Sequence, residues 1–154
     1  MQFRNPMIIV ADVERSKRFY ADVLNQSVSL DLGEYVVMGG ISMMSRQTWS
    51  EDTRDVPPPP SKVGHTFELY FEESDLDGFV AALRQRSEIV VFTPLGEAPW
   101  GQRAIRFLDP DGYAIEVAEP MEDVVSRLLA SGLSVEEAAE RSMMPIEFVQ
   151  ACQA

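Results

Sequence analysis

Two stretches of the chain repeat one pattern, and that repetition constrains the fold more than any other feature. Met7 to Ala11 is an apolar run ending at Asp12, followed by a helix-like stretch from Arg15 to Leu24. Leu69 to Phe71 leads through acids to Asp75, followed by Gly78 to Leu83. In each copy an aspartate stands where a helix N-cap is needed, placed to accept from the free amides of the first turn. A chain that writes strand and helix twice is expected to fold as two equivalent halves. Superposing Asp12 on Asp75 then gives every residue of one half a partner in the other.

The rest of each copy extends the pattern. Phe3 to Ala11 reads as a strand, residues 13 to 24 as a helix with Phe19, Tyr20, Val23 and Leu24 on one face, and 27 to 32, 35 to 38 and 41 to 49 as strands. Gly33-Glu34 and Gly39-Gly40 supply the turns. The second copy predicts a strand over 65 to 73, a helix over 75 to 86, and strands over 89 to 93, 103 to 108 and 114 to 118. Asp109-Pro110-Asp111-Gly112 is the turn before the last of them. Between the copies, residues 50 to 64 are polar and carry four consecutive prolines, Pro57 to Pro60, which extend as polyproline II. The reading is α+β: two βαβββ modules, 3–49 and 65–119, joined by a linker at 50–64. Together they occupy residues 1–120 and are expected to form a curved eight-stranded mixed sheet with helices outside and a concave face.

Residues 121–154 follow another grammar and predict a C-terminal helical extension. Val124, Val125, Leu128 and Leu129 fit one helix, Gly132 stops it, Ser134 caps a second through Arg141, and Pro145 starts a third. Helix-turn-helix DNA readers share this order. Six acids against two bases leave the segment at a net of -4, however, whereas phosphate contacts need Lys and Arg.

Composition narrows the partners. The net charge of -12 repels phosphate backbones and suits a cationic ligand, besides keeping a protein in solution. Nucleic acid is not an expected partner. Cys152 is the single cysteine, so no internal disulfide forms and a reducing compartment is expected. No apolar run approaches the ~20 residues needed to cross a bilayer, and the first residues lack a leader pattern, so the expectation is a cytoplasmic protein with no membrane partner.

The repeat also selects residues for chemistry. Asn5 and Glu68 stand equally far before Asp12 and Asp75, and Ile41-Ser42-Met43 matches Ile115-Glu116-Val117 after equivalent glycine turns. Four equivalent positions emerge: Asn5, Ser42, Glu68 and Glu116. Strand alternation turns Phe67, Leu69 and Phe71 toward a helix and Thr66, Glu68 and Tyr70 to the opposite face; Ile115 and Val117 likewise leave Glu116 on that opposite face. Two carboxylates are thus expected in one pocket. His65, the only histidine, has the wrong parity to join them. Such a pair can share a proton as acid and base, bind a cation or amine on a ligand, or be neutralised internally by Arg103 or Arg106. Trp100 and Trp49 offer flat faces to a planar or cationic group, or else close the core. Met7, Met38, Met43 and Met44 suit an adaptable lining or simple filler.

The run Val10 to Leu24, with Pro99-Trp100-Gly101 and Phe107-Leu-Asp-Pro-Asp-Gly-Tyr-Ala-Ile-Glu116, resembles the vicinal oxygen chelate superfamily of glyoxalases, extradiol dioxygenases and bleomycin-resistance proteins over residues 3 to 119. That resemblance implies paired βαβββ modules, a homodimer and, in the enzymes, a metal held by inward side chains. Enzymes of the superfamily place His where Asn5 stands and His, Gln or Glu where Glu68 stands; the Glu at 116 is kept, and Ser42 falls where some members have a fourth ligand. An all-oxygen set denies Zn²⁺ or Fe²⁺ its imidazole and suits a harder ion such as Mg²⁺ or Mn²⁺. In bleomycin-resistance-like members a similar Pro-Trp-Gly lies near the ligand groove.

The expected function is therefore small-molecule binding of the glyoxalase/bleomycin-resistance type, serving drug or toxin sequestration without a cofactor. Its groove carries Glu68 and Glu116 with Asn5, Ser42, Tyr70, Trp100, Arg106 and Trp49 around them. The alternative is a metal-dependent lyase, isomerase or dioxygenase in which Glu68, Glu116 and Asn5 hold Mg, Mn or Zn. A third class is an interaction or regulatory protein acting through residues 121–154.

Overall fold

A computed structural model describes residues 1, 4–52 and 67–153. Its strands hydrogen-bond as two four-stranded mixed sheets, and the chain divides into two units, Met1–Thr66 with Asp109–Tyr113, and Phe67–Leu108 with Ala114–Ala154. The predicted α+β class and paired βαβββ modules are what the chain adopts. The four prolines of the linker, Thr66 and His65 lie outside the described residues.

In the first unit, β1 (Met7–Val10), α1 (Val13–Asp22), β2 (Val28–Asp31), β3 (Tyr35–Met38) and β4 (Ile41–Ser45) form a sheet in the order β1-β4-β3-β2. Asp12 caps α1 as expected, its carboxylate accepting from Arg15 N at 2.9 Å. The helix lays Val13, Ser16 and Tyr20 into a core with Ile8, Val10, Val36 and Met43. Met38 and Met43 are fully buried and Met7 is exposed, so these methionines divide between core and surface.

One expected strand is corrected here. Chain 41–49 does not run on as β-structure: β4 ends at Ser45, and α2 (Arg46–Asp52) follows. The cause is local. Ser45 Oγ accepts from Thr48 N at 3.2 Å as an N-cap hydroxyl does, and Gln47 reaches Glu51 one turn on at 3.1 Å. Trp49 therefore sits on a helix, and residues 50–52 of the expected linker belong to it.

In the second unit, β5 (Glu68–Glu72), α3 (Leu76–Leu83), β6 (Val91–Glu97), β7 (Arg103–Leu108) and β8 (Ala114–Ala118) repeat the order as β5-β8-β7-β6. Asp75 caps α3 through Gly78 N at 3.0 Å. Leu76, Val80 and Leu83 bury against the face that carries Leu69, Ile105, Phe107, Ile115 and Val117, with Phe79 and Phe107 in ring contact at 6.1 Å. Each fully buried apolar side chain there stabilises the fold by roughly 1.5–3 kcal/mol. β6 runs four residues beyond its expected end and includes Pro94, which an edge strand accommodates because its outer amides need no ladder partner.

Strand register proves the repeat. Met7 pairs with Ser42 and Tyr70 with Glu116, both in parallel, and each stands five residues before its N-cap aspartate. On the antiparallel side, Val37 pairs with Ser42 and Arg106 with Glu116. The alignment drawn from sequence is thus the alignment of hydrogen bonds.

Three helices complete the second unit: α4 (Met121–Ala130), α5 (Val135–Ser142) and α6 (Ile146–Ala151). Ser134 and Glu137 close a reciprocal capping box on α5, and Pro145 opens α6. Val124, Val125, Leu128, Ala138 and Val149 form a buried cluster of their own, so the extension packs mainly on itself. Among the described residues, no helix is long and apolar enough to cross a membrane.

Candidate functional site

β5, β7 and β8 place three charged side chains on the face away from α3. The β7–β8 register sets Arg106 opposite Glu116, and the β5–β8 register sets Tyr70 opposite Glu116, with Glu68 two residues along on the same face. Arg106 Nε donates to Glu68 Oε2 at 3.1 Å, while its Nη2 donates to Glu116 Oε2. One guanidinium thus spans both carboxylates. Glu116 is buried, whereas the side chains of Glu68 and Arg106 keep about a third of their exposure, 34% each.

Burial pushes the Glu116 carboxyl above its ordinary value, hydrogen bonding with Glu68 adds to the rise, and the Arg106 charge opposes it. Of the two arginines that could pair with these glutamates, Arg106 is the one that does. Arg103 serves elsewhere: it bonds Glu119 at 2.8 Å and Asp77 at 3.0 Å.

Beside this trio lies a pocket of about 210 Å³, bounded by Thr93 and Pro94 of β6, Ala104 and Arg106 of β7, Glu116, and the Glu97–Gln102 segment with Trp100. Its volume falls below the ~300–1,000 Å³ usual for drug-sized ligands, which limits an occupant to a small group. Trp100 is 38% exposed, and its indole N–H donates to Gln102 Oε1 at 3.1 Å. Gln102 in turn donates to Tyr70 Oη at 3.0 Å and to the Glu119 carbonyl at 2.8 Å, and Tyr70 donates to Glu72 at 3.0 Å. Tyr70 reaches the pocket through Gln102, a buried residue that strand periodicity did not single out.

In the first unit the equivalent positions are neutral. Asn5 Nδ2 donates to Ser42 Oγ, which also bonds Tyr35 Oη at 2.8 Å. The four repeat-related residues thus resolve into two pairs, one within each unit. Trp49 sits half-buried on α2 of the first unit.

Sequence reasoning also missed an acidic lock. The turn Asp109–Tyr113 belongs to the first unit, not to the sheet whose strands it joins. Buried Asp109 accepts from Tyr20 Oη at 3.0 Å and from the amides of Asp111 and Tyr113. Asp111 accepts from Ala11 N at 2.9 Å and pairs with Arg15 at 2.9 Å, and Tyr113 Oη brackets the backbone of Ile9. Burial pushes both the Asp109 carboxyl and the Tyr20 hydroxyl above their ordinary values. No local pattern announces bonds that span about a hundred residues.

A resident divalent ion needs carboxylate oxygens turned toward a common point. Glu68 and Glu116 turn theirs onto a guanidinium, Asn5 and Ser42 satisfy each other, and among the described residues no group of three His, Cys, Asp or Glu is arranged to hold a metal. The donors do not fit a metal centre as they stand.

Comparison with known proteins places the scaffold. Residues 3–122 match the family model described as a glyoxalase-like domain, and the chain belongs to that family within the vicinal oxygen chelate superfamily. Among solved structures, a protein of unknown function from Agrobacterium tumefaciens str. C58 is 34% identical, covering 78% of this chain and 94% of its own, with a TM-score of 0.68. A glyoxalase/bleomycin resistance protein/dioxygenase from Nocardioides (24% identity, 77% and 83% covered, TM-score 0.58) shares the fold. So does a lactoylglutathione lyase from Agrobacterium tumefaciens (24%, 77% and 92%, 0.57). A search of curated proteins finds no match. The family match stops at residue 122, so nearly all of the helical extension lies beyond it.

Proposed function

We propose that the protein is a small-molecule binder whose second unit takes a compact planar cation, such as an aromatic amidinium or amine, without a resident metal. The observation that carries this reading is the Arg106 guanidinium, itself a planar cation, held between Glu68 and Glu116 at the pocket wall. A carboxylate pair that accepts one such group recognises another of the same chemistry. Trp100 supplies a ring face at the same pocket, where a delocalised cation gains from the π-quadrupole. The surplus of acids over bases draws cations toward the protein. Sequestration of a drug or toxin is the role that such a pocket serves, and the protein acts in the cytoplasm, free or as a homodimer.

The test is intrinsic fluorescence in a Trp49→Phe background, with benzamidinium as the probe, alongside thermal-shift titrations with Mg²⁺, Mn²⁺ and Zn²⁺. Saturable quenching of Trp100 that weakens in Glu116→Gln is the expected result. Strong stabilisation by a divalent ion near stoichiometric concentration, abolished in Glu116→Gln, would overturn the reading, because an ion that binds only the folded state raises its stability by mass action.

A further inference from the structure

The segment Glu97–Gln102 has two sides. One faces the pocket through Glu97, Ala98, Trp100 and Gln102. The other is gripped by the helical extension. Arg127 of α4 donates to the Gly101 carbonyl at 2.7 Å and to buried Glu119 at 3.0 Å, and Arg141 of α5 donates to the Pro99 carbonyl and to Glu97 at 3.2 Å. Val124 and Leu128 lie directly behind Gly101, 3.5 and 4.0 Å from where a β-carbon would stand. Gly101 has φ +88, a conformation other residues rarely adopt, so the backbone here is committed to one path across α4.

These contacts are more than helix packing. They fall on the carbonyls immediately before and after Trp100, and they bring two cationic side chains to the one acid of that segment. Glu119 anchors the arrangement: burial works against its ionisation, yet hydrogen bonds from Arg103 and Arg127 hold its carboxyl below the usual range. The chain adds this apparatus past the end of the family domain.

We infer that the C-terminal extension is a positioning element for the ligand pocket, with Arg127 and Arg141 as positioning residues that fix the Trp100 segment from behind. The inference rests on the pocket reading above for its ligand, but not for its geometry. Removing Arg141 frees the segment at Pro99 and leaves Glu97 with Arg127 alone, at 3.9 Å, so the indole gains motion and solvent while the pocket loses shape.

The experiment uses the full chain carrying Trp49→Phe, so that Trp100 alone reports. In ligand-free protein, Arg141→Ala is expected to red-shift Trp100 emission and lower its anisotropy, and Arg141→Lys, which keeps a donor for the Pro99 carbonyl, is expected to restore both. Benzamidinium affinity should fall about tenfold in Arg141→Ala, the scale of one lost charge-assisted hydrogen bond. Loss of the Arg141 charge leaves the pocket more negative, which by charge alone would raise the affinity for a cation, so a fall reports lost position and not changed charge. Arg127→Ala should act in the same direction, and Arg141, being exposed, keeps the test open if that variant misfolds. Unchanged emission and anisotropy in Arg141→Ala would overturn the inference whether or not the probe binds. Failure of the probe on the native chain would instead remove the ligand reading and leave the emission arm to decide this one.

Discussion

The two modules share register, caps and strand order but differ in what they put at equivalent positions. Asn5, Val37 and Ser42 in one correspond to Glu68, Arg106 and Glu116 in the other. The neutral set closes on itself with Tyr35; the ionic set leaves a charged cluster beside a pocket. Scaffold and chemistry are therefore separable in this chain: duplication supplies two backbones, and three side chains decide which one carries the ionic cluster.

The sharpest way to break the comparison is to break the ionic set in two manners. Arg106→Ala leaves buried Glu116 facing Glu68 with no counter-charge and should cost about 2 kcal/mol at pH 7 in urea unfolding, the buried-pair penalty discounted for partial exposure. Replacing the whole set by its neutral counterpart, Glu68→Asn with Arg106→Val and Glu116→Ser, should stay within about 1 kcal/mol of the native chain, because no charge is left unpaired. Equal losses in both would mean that the trio does not act as one unit.

Smaller effects sharpen the picture in the first unit. Tyr20→Phe removes a donor from buried Asp109 and should destabilise by about 1–2 kcal/mol. Ser42→Ala strips Asn5 and Tyr35 of their common partner, with an expected loss of about 1 kcal/mol. Neither should alter Trp100 fluorescence, since both act within the first unit.

The smallest expected effect is a pair of opposed pH dependences. Glu116 has a raised folded-state pKa, so its contribution to stability is present below 4.5 and is lost as pH rises through the folded value. Glu119 has a lowered one, so its contribution is present above 4.5 and is lost as pH falls through the folded value. Glu116→Gln and Glu119→Gln should accordingly tilt the acid limb of the stability curve in opposite directions.

Much of this was legible in the residues. The Asp12 and Asp75 caps, the alternation around Glu68 and the turn glycines lead directly to the modules and to which way each glutamate faces. Arg106 was visible as a neutralising partner, though equal with Arg103, because only register decides which arginine lies opposite Glu116. α2 follows β4 without a break, and Ser45, the residue that caps it, is also the last residue of the strand, so the apolar pattern from Ile41 to Trp49 does not mark the change. Gln102, Glu119 and the Asp109 lock were beyond reach, since their partners are distant in sequence and no periodicity encodes them.

The most direct test of the account is a carbon-13 titration of the Glu116 side-chain carboxyl. The account predicts a midpoint above the ordinary 4.5, rising further in Arg106→Ala and falling in Glu68→Gln. A midpoint at the ordinary value, indifferent to both substitutions, would contradict it.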